Sequence, residues 1–549
     1  MKMFCNQCEQ TARGVGCDIR GVCGKAPEVA SLLDILIYQL KGIGYLAHKA
    51  RALGATDERI DRHTIEALFT TVTNVNFSTE RLEKLVSKGE EMRSAAVALY
   101  SAAATAAALP LNEADWPAAA RGTPAIDADN LADIVGILAG TEDQDLRSLR
   151  LLLLFGIKGI AAYADHALLL GEKDDALFAF MHEALAALSD PTATLQSMVA
   201  LVLACGTAAV SCMALLDKAH TARFGNPVPT SVRTGLQGGP SIVVSGHDLL
   251  DLEELLKQTA GRGVMVYTHG EMLPAHGYPG LSKYPHLAGH FGTAWQNQQR
   301  EFDGVPAAFL FTTNCIQKPL DGYRDRVFTA GLVAFPGVVH VENRNFEPVI
   351  RRALELSGGE PKSGPALLTG CGHHAVLSLA EKVIALVNTG KIRRFLVIGG
   401  CDGAKPGRNY YTDLADAVPA DCVIITLACG KFRFNGHDFG TIDGIPRLLD
   451  AGQCNDAHSV ITVAQALASA FKCGLNDLPV SIILSWYEQK AVAVLLALLS
   501  LGFKGIRIGP SLPAFLTPNV LKVLVDAFDL KPIGTAQEDL AKIMGNSQG

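Results

Sequence analysis

FGNPVPTSVRTGLQGGP, residues 224–240, divides the chain into two different hydrophobic patterns. Proline and glycine concentrate there, as they do where one folded unit ends and another begins. Upstream, residues 28–220 read as one helix after another. In SLLDILIYQLKGIGYLAHKA, Leu32, Leu33, Leu36, Leu40 and Ile43 fall on one stripe, the spacing of an amphipathic helix. IDRHTIEALFTTVTNVN and TERLEKLVSKGEEMRSAAVALYSAAATAAAL continue the pattern. After a polar break at LNEADWPAAARGTPAIDADN, the segments LADIVGILAG, LRSLRLLLLFGIKGIAAYADHALLL and DDALFAFMHEALAAL resume it. Long helices with short connections predict an antiparallel bundle. Downstream, short apolar runs alternate with helical segments: SIVVS, LLDLEELLKQTA, GVMVYT, AAFLFTT, RFLVIG, CVIITLA and VSIILSW. That alternation predicts βαβ units and mostly parallel sheets. The region is too long for one compact sheet, so the reading is a helical domain over 1–223 and two α/β domains over 224–367 and 368–549.

The 549 residues exceed what one core accommodates, and 49% hydrophobic against 19% charged residues leaves much to bury. A net charge of −7 without a long basic run argues against nucleic acid as a partner. MKMFCNQCEQ lacks the apolar core of a secretory signal, so a cytoplasmic location is expected, where thiols stay reduced. Thirteen cysteines then point to metal or redox chemistry rather than disulfides. SMVALVLACGTAAVSCMALL, residues 197–216, has the length of a bilayer span but neither an aromatic belt nor flanking basic clusters. It is read as a buried helix, with Cys205 and Cys212 as small core fillers, and no membrane partner is expected.

The strands end in chemistry. Just past the carboxyl end of a predicted strand stand His247, Glu271, Cys315, Cys401, Cys429 and Glu488. Cys454, in AGQCNDAHSV, adds a seventh group from a loop before a helix. One thiol in such a place is usually a buried small residue, and one glutamate a helix-cap neighbour. Six together, at the sheet edge where α/β proteins bind ligands, suggest a shared metal site. Four thiols, two carboxylates and an imidazole exceed what zinc needs. An all-thiolate set would suit an iron–sulfur cube, whereas the oxygen and nitrogen donors suit iron bonded partly to oxygen. The set points to several irons, bridged by sulfur and by oxygen, with room for a small substrate.

A second set opens the chain: Cys5, Cys8, Cys17 and Cys23, spaced C-x2-C-x8-C-x5-C. Structural zinc usually takes two C-x2-4-C knuckles, and only Cys5 and Cys8 form one. Glycines around Cys17 and Cys23 let backbone amides approach sulfur, and Arg13, Arg20 and Lys25 offset thiolate charge, so iron–sulfur is favoured over zinc. GCGHHA, residues 370–375, imitates a dinucleotide fingerprint. It lacks the acidic partner at the next strand and is read as a tight strand-to-helix turn, with Cys371, beside His373 and His374, packing rather than ligating.

These motifs carry a resemblance. FCNQCEQTARGVGCDIRGVCGK (4–25), THGEMLPAHGYP (268–279), TTNCIQKP (312–319), GGCDGAKPGRNYYT (399–412), LACGKFRF (427–434), IPRLLDAGQCNDA (445–457) and LSWYEQKAVAVLLALLSLG (484–502) closely resemble the hybrid cluster protein family. That family is also called hydroxylamine reductase or prismane protein, and the likeness runs from end to end. It implies a helical domain followed by two Rossmann-like α/β domains, related to carbon monoxide dehydrogenase, with the hybrid cluster at the domain interface. It implies that Cys5, Cys8, Cys17 and Cys23 hold a 4Fe-4S cluster. His247, Glu271, Cys315, Cys401, Cys429, Cys454 and Glu488 match the ligands of a hybrid 4Fe-2O-2S cluster. Cys401 matches the position found as a persulfide, and Lys490 the lysine of the family's EQK motif. The implied activity is reduction of hydroxylamine to ammonia and water, or of nitric oxide to nitrous oxide, with electrons from a redox protein entering at the first cluster. Glu488, Cys401 and Lys490 are the expected catalytic residues. Lys490 and His269 are candidate proton donors, on the expectation that burial lowers a lysine's pKa. A nitric oxide or redox sensor, or a protein S-nitrosylating factor, is the competing reading.

Overall fold

The computed structural model describes residues 3–126, 131–139, 143–356 and 358–545. Residues 127–130 of the polar break and Gly140 of LADIVGILAG lie outside them. Among the described residues, six long helices fill the first part of the chain: α1 (Pro27–Ala52), α2 (Glu58–Thr70), α3 (Thr79–Ala106), α4 (Gln144–Leu169), α5 (Asp175–Ala187) and α6 (Leu195–Phe224). Their starts are written in the sequence. Pro27 opens α1, and the side chains of Asp57, Ser78, Asp143, Asp174 and Thr194 each accept a backbone N–H in the first turn of the next five.

The helix read as wholly buried, α6, is not. It buries Met198, Val202, Cys205, Ala209, Cys212, Met213 and Leu216 on one face, and only 39% of its most apolar window is covered. Three helices, α1, α4 and α6, are long and apolar enough to cross a membrane; α1 and α4 spend that hydrophobicity inside the protein, at 78% and 94% burial.

Two sheets follow. The first has eight strands: β1 (Thr230–Thr234), β2 (Ser241–Ser245), β3 (Met265–His269), β4 (Leu287–His290), β5 (Ala308–Phe311), β6 (Val327–Ala330), β7 (Val339–Val341) and β8 (Gly364–Thr369), in the order β7-β6-β5-β2-β3-β4-β1-β8. Every pairing is parallel except β1 with β8. The second, six-stranded sheet follows β9 (Arg394–Gly400) and β10 (Cys422–Thr426), with a small hairpin of β11 (Thr441–Ile442) and β12 (Ile445–Pro446) set apart from it. It is completed by β13 (Leu448–Asp450), β14 (Val480–Ser485), β15 (Arg507–Gly509) and β16 (Lys531–Pro532), all parallel, ordered β13-β10-β9-β14-β15-β16. The division expected at residue 367 runs through β8. That strand pairs with β1 and completes the first sheet, so the first α/β unit extends to Thr369.

The units share a core rather than touching at their edges. Helix α7 (Gln489–Ser500), which follows β14, lies against both α4 and α6. Leu152, Phe155, Cys205 and Met213 belong to the same buried cluster as Leu496, Val397 and Cys454. Glycine makes the approach possible: a Cβ at Gly159 would sit 2.4 Å from the Gln489 carbonyl oxygen, and one at Gly206 2.1 Å from that of Leu496. The obstacle is backbone, which cannot rotate away. Gly206→Ala is therefore expected to destabilise the protein by about 1–3 kcal/mol through overpacking, read as a lowered denaturation midpoint.

Candidate metal centres

In both sheets the strand order reverses direction at the centre, the place where open α/β sheets leave a crevice at the strands' carboxyl ends. His247, Glu271 and Cys315 follow the adjacent central strands β2, β3 and β5. Cys401, Cys429, Cys454 and Glu488 follow the adjacent strands β9, β10, β13 and β14. Cys454 thus also stands past a strand, the short β13, which LLDAG is too brief to reveal by alternation.

The turns that present these groups are tight. Gly246, at φ +132°, precedes His247; a Cβ there would meet Thr312 Oγ1 at 2.4 Å. Gly400, at φ +107°, precedes Cys401; its Cβ would lie 2.2 Å from the Ser485 carbonyl oxygen. Cys315 itself (φ +79°) and Ala428 beside Cys429 (φ +63°) adopt the left-handed region without being glycine. Such conformations cost about 1–3 kcal/mol each and concentrate where a side chain must be aimed.

The donors converge. One ligand atom each from His247, Glu271 and Cys454 lies within 4.8 Å of the other two, and all three residues are buried. His247 Nε2 is 3.3 Å from Glu271 Oε2, while Nδ1 sits 2.8 Å from Thr313 Oγ1, which fixes the ring. Glu271 Oε2 accepts the Cys454 backbone N–H at 2.9 Å, and Gln453 Nε2 donates to the carbonyls of His247 and Glu271, tying the two sheets together. Glu488 caps α7, accepting the Lys490 N–H at 2.8 Å. Cys401 and Cys429 share a buried cluster with Tyr487, Trp295 and Cys8, and Cys315 packs against it.

Lys490 lies at the centre of this set. Its Nζ is 2.9 Å from His247 Nε2 and from Asn314 Oδ1, and 3.6 Å from Glu488 Oε1. Burial alone would depress the ammonium, but Cys454, Glu488, Glu271 and Cys315 around it hold its pKa above the ordinary lysine value. This reverses the expectation of a lowered lysine: desolvation was foreseen, the anionic surroundings were not. His269, the other candidate donor, has both ring nitrogens engaged elsewhere. It is held between Ser245 Oγ at 2.9 Å and Glu301 Oε2 at 3.4 Å.

The chemistry of the donor set fits a multivalent cation. Burial drives the thiols of Cys315, Cys429 and Cys454 well up, and that of Cys401 to about 12, with neighbouring carboxylates adding to each. Burial raises Glu488 too, whereas His247 and Lys490 overcome burial at Glu271 and hold it low. Ionising the four thiols beside two carboxylates would leave one ammonium to offset them in a dry site; bound metal ions would balance that charge.

The amino-terminal thiols form a second set. Cys5 and Cys17 are paired by two backbone bonds, N to O, of 3.0 and 2.8 Å. Burial, then the charges of Cys5, Cys23 and Cys17, push the Cys8 thiol well up. Burial opposes the Lys25 charge beside them, but Cys5 and Cys23 hold it above the ordinary lysine value. The loop is stitched to the turn that carries Glu488. Glu9 N donates to the Tyr487 carbonyl at 2.9 Å, and Gln489 Nε2 to that of Gln7 at 2.6 Å. Glu9, fully buried, pairs with Arg408 at 2.8 Å, and Arg408 also donates to Ser485 Oγ at 2.6 Å and to the Trp486 carbonyl at 3.0 Å. Between the sets the rings of Trp295 and Tyr487 pack with centroids 4.6 Å apart. Asn314, Gln453, Glu9, Arg408, Trp295 and Tyr487 were not singled out from the sequence, although all but Trp295 lie within the quoted motifs.

A Prismane/CO dehydrogenase family model matches residues 3–541. The chain belongs to that family. Among curated members of the Prismane/CO dehydrogenase group's relatives, a protein of Geobacter sulfurreducens named hydroxylamine reductase is 55% identical over 553 residues, covering 99% of this chain and all of its own. One of Syntrophobacter fumaroxidans, with the same name, is 55% identical over 549 residues at the same coverage. The fold is similar to that of carbon monoxide dehydrogenase from Thermococcus sp. AM4, with a TM-score of 0.55 at 16% identity, over 98% of this chain and 90% of that one.

Proposed function

We propose that this chain is an iron–sulfur oxidoreductase that reduces hydroxylamine. Hydroxylamine, two electrons and two protons give ammonia and water. The observation that carries the reading is the gathering of seven mixed sulfur, oxygen and nitrogen donors at two facing strand crevices, joined by packed aromatic rings to a second thiol set. The name of relatives 55% identical to this chain, hydroxylamine reductase, supports it. Cys5, Cys8, Cys17 and Cys23 would hold a 4Fe-4S cluster, and His247, Glu271, Cys315, Cys401, Cys429, Cys454 and Glu488 a hybrid 4Fe-2O-2S cluster. When bound, these clusters would relay the donor's electrons and offer a Lewis-acidic iron to polarise the N–O bond. The protein supplies the rest. Lys490 Nζ, 2.9 Å from His247 Nε2, is the candidate proton donor, and Asn314 fixes its direction. Thr313 and Gln453 hold the His247 ring and the Glu271 backbone in place. Electrons from a redox protein enter at the amino-terminal set. A reducing, cytoplasmic setting belongs to this reading, because both sets need free thiolates.

Nitric oxide is a second substrate in this reading: two molecules, two electrons and two protons give nitrous oxide and water. A cavity lined mainly by aliphatic residues, among them Val494, Leu495 and Leu484, also has Cys401 and Cys454 in its wall. Such a lining favours a small, weakly polar molecule. Turnover separates catalyst from sensor. With excess reduced donor under anaerobic conditions, many molecules of hydroxylamine should yield ammonia per chain; reaction once per chain would favour the sensor. Cys8→Ala should slow electron entry from a protein donor while iron stays in the deeper site. Loss of all iron from that variant would contradict two separable centres.

A further inference from the structure

The turn GCGHHA is not absorbed by this function, and the structure gives it a partner. His373, at the start of the short helix His373–Leu377, faces His458, at the start of Ala457–Phe471, and both face Asp217 of α6. His373 Nδ1 is 3.7 Å from Asp217 Oδ1, and His458 Nε2 is 3.9 Å from Asp217 Oδ2. One ligand atom from each residue lies within 4.8 Å of the other two. The three segments are far apart in sequence and converge at one point. From this geometry we propose a separate mononuclear site for a divalent ion of the zinc class, bound by Asp217, His373 and His458 with water completing the shell.

Two imidazoles and one carboxylate are a donor set for borderline divalent metals rather than for calcium or magnesium, which take oxygen. Tetrahedral zinc at about 2.0–2.1 Å from each ligand sets its donors roughly 3.3 Å apart. The carboxylate–imidazole separations are about half an ångström longer, a gap that small χ rotations close. Asp217, His373 and His458 are 14%, 22% and 19% exposed, which leaves a path for the ion and for water. Ser459 Oγ, 3.1 Å from His373 Nδ1, and Thr462 Oγ1, 3.4 Å from His458 Nε2, stand beside the rings. Burial raises the Asp217 carboxyl and lowers the His458 imidazole, so the pair is driven toward its neutral forms. A dication reverses that tension, since it binds an ionised carboxylate and neutral imidazoles together. The ion would pin α6 to the helix that begins three residues after Cys454.

The test uses the iron-loaded protein, kept anaerobic, with one equivalent of zinc added and the excess removed by gel filtration. The expected result is one retained zinc per chain. Its X-ray absorption should show only nitrogen and oxygen neighbours near about 2.0–2.1 Å, with no sulfur shell at about 2.3 Å. Asp217→Asn and His458→Ala should each cut retained zinc at least tenfold while iron content is unchanged. Magnesium in tenfold excess should not compete. Failure to retain zinc, a sulfur shell in the spectrum, or retention unaffected by both substitutions would overturn the proposal. If either variant fails to fold, the absorption spectrum of the unmodified protein still decides.

Discussion

Glu488→Ala is expected to abolish the spectroscopic signature of the deeper centre and to leave that of the amino-terminal centre intact. Glu488 is the cap of α7 and, in the proposed reading, a metal donor, its carboxylate accepting the Lys490 N–H and lying 3.6 Å from Lys490 Nζ. Removing it takes away a candidate ligand and frees the lysine that faces His247. Even outer partners of a metal site are worth 10–100-fold, so hydroxylamine turnover should fall by at least about a hundredfold. Cys429→Ala should behave alike, because its thiol belongs to the same buried group as Cys401. Iron analysis and electron paramagnetic resonance, run before and after reduction, read the outcome. Variants in which both signatures and the full iron content survive would remove Glu488 and Cys429 from the donor set.

Arg408→Met should produce the largest loss of stability. Arg408 and Glu9 are 1% and 0% exposed, and the pair locks the amino-terminal loop onto the end of β14. Taking away the guanidinium leaves the Glu9 carboxylate with Lys405, 3.2 Å away and partly in solvent, and the Ser511 hydroxyl, also at 3.2 Å. Breaking a buried pair from one side costs about 3–5 kcal/mol, chiefly the penalty of the charge left behind. The double variant Glu9→Gln with Arg408→Met should therefore be more stable than Arg408→Met alone. Denaturation midpoints of the four proteins in the cycle measure this. Equal midpoints for the single and double variants would show that the pair is not what holds the loop.

The sheet edge was legible because parallel strands buried on both faces are written as unbroken apolar runs, SIVVS or CVIIT, and the residue that ends each run is conspicuous. The first long helix was legible through the stripe of Leu32, Leu33, Leu36, Leu40 and Ile43. Three things were not. The strand before Cys454 is three residues long and leaves no periodic trace. The pairing of β8 with β1 crosses more than a hundred residues, so the expected boundary fell inside a strand. The high pKa of Lys490 depends on anions delivered from β3, β5, β13 and β14, which no local window contains. The strand ends picked out the seven candidate donors and the likeness to a known family assigned them to one cluster; the contacts of Thr313 and Gln453 with His247 and Glu271, and of Asn314 with Lys490, came only from the fold.

The position of α7 bears on how the protein is made. Its apolar surface fills the groove between α4 and α6, with Gly159 and Gly206 trimmed to receive it. A chain emerging from the ribosome presents α4 and α6 long before residue 500 exists. The amino-terminal helices thus wait with an open seam, and the thiols of Cys5 and Cys8 wait with them, since their loop seats on Tyr487 and Gln489. The seam between α4 and α6 can close only after residues 489–500 have been made, which places this part of the core late in the order of synthesis.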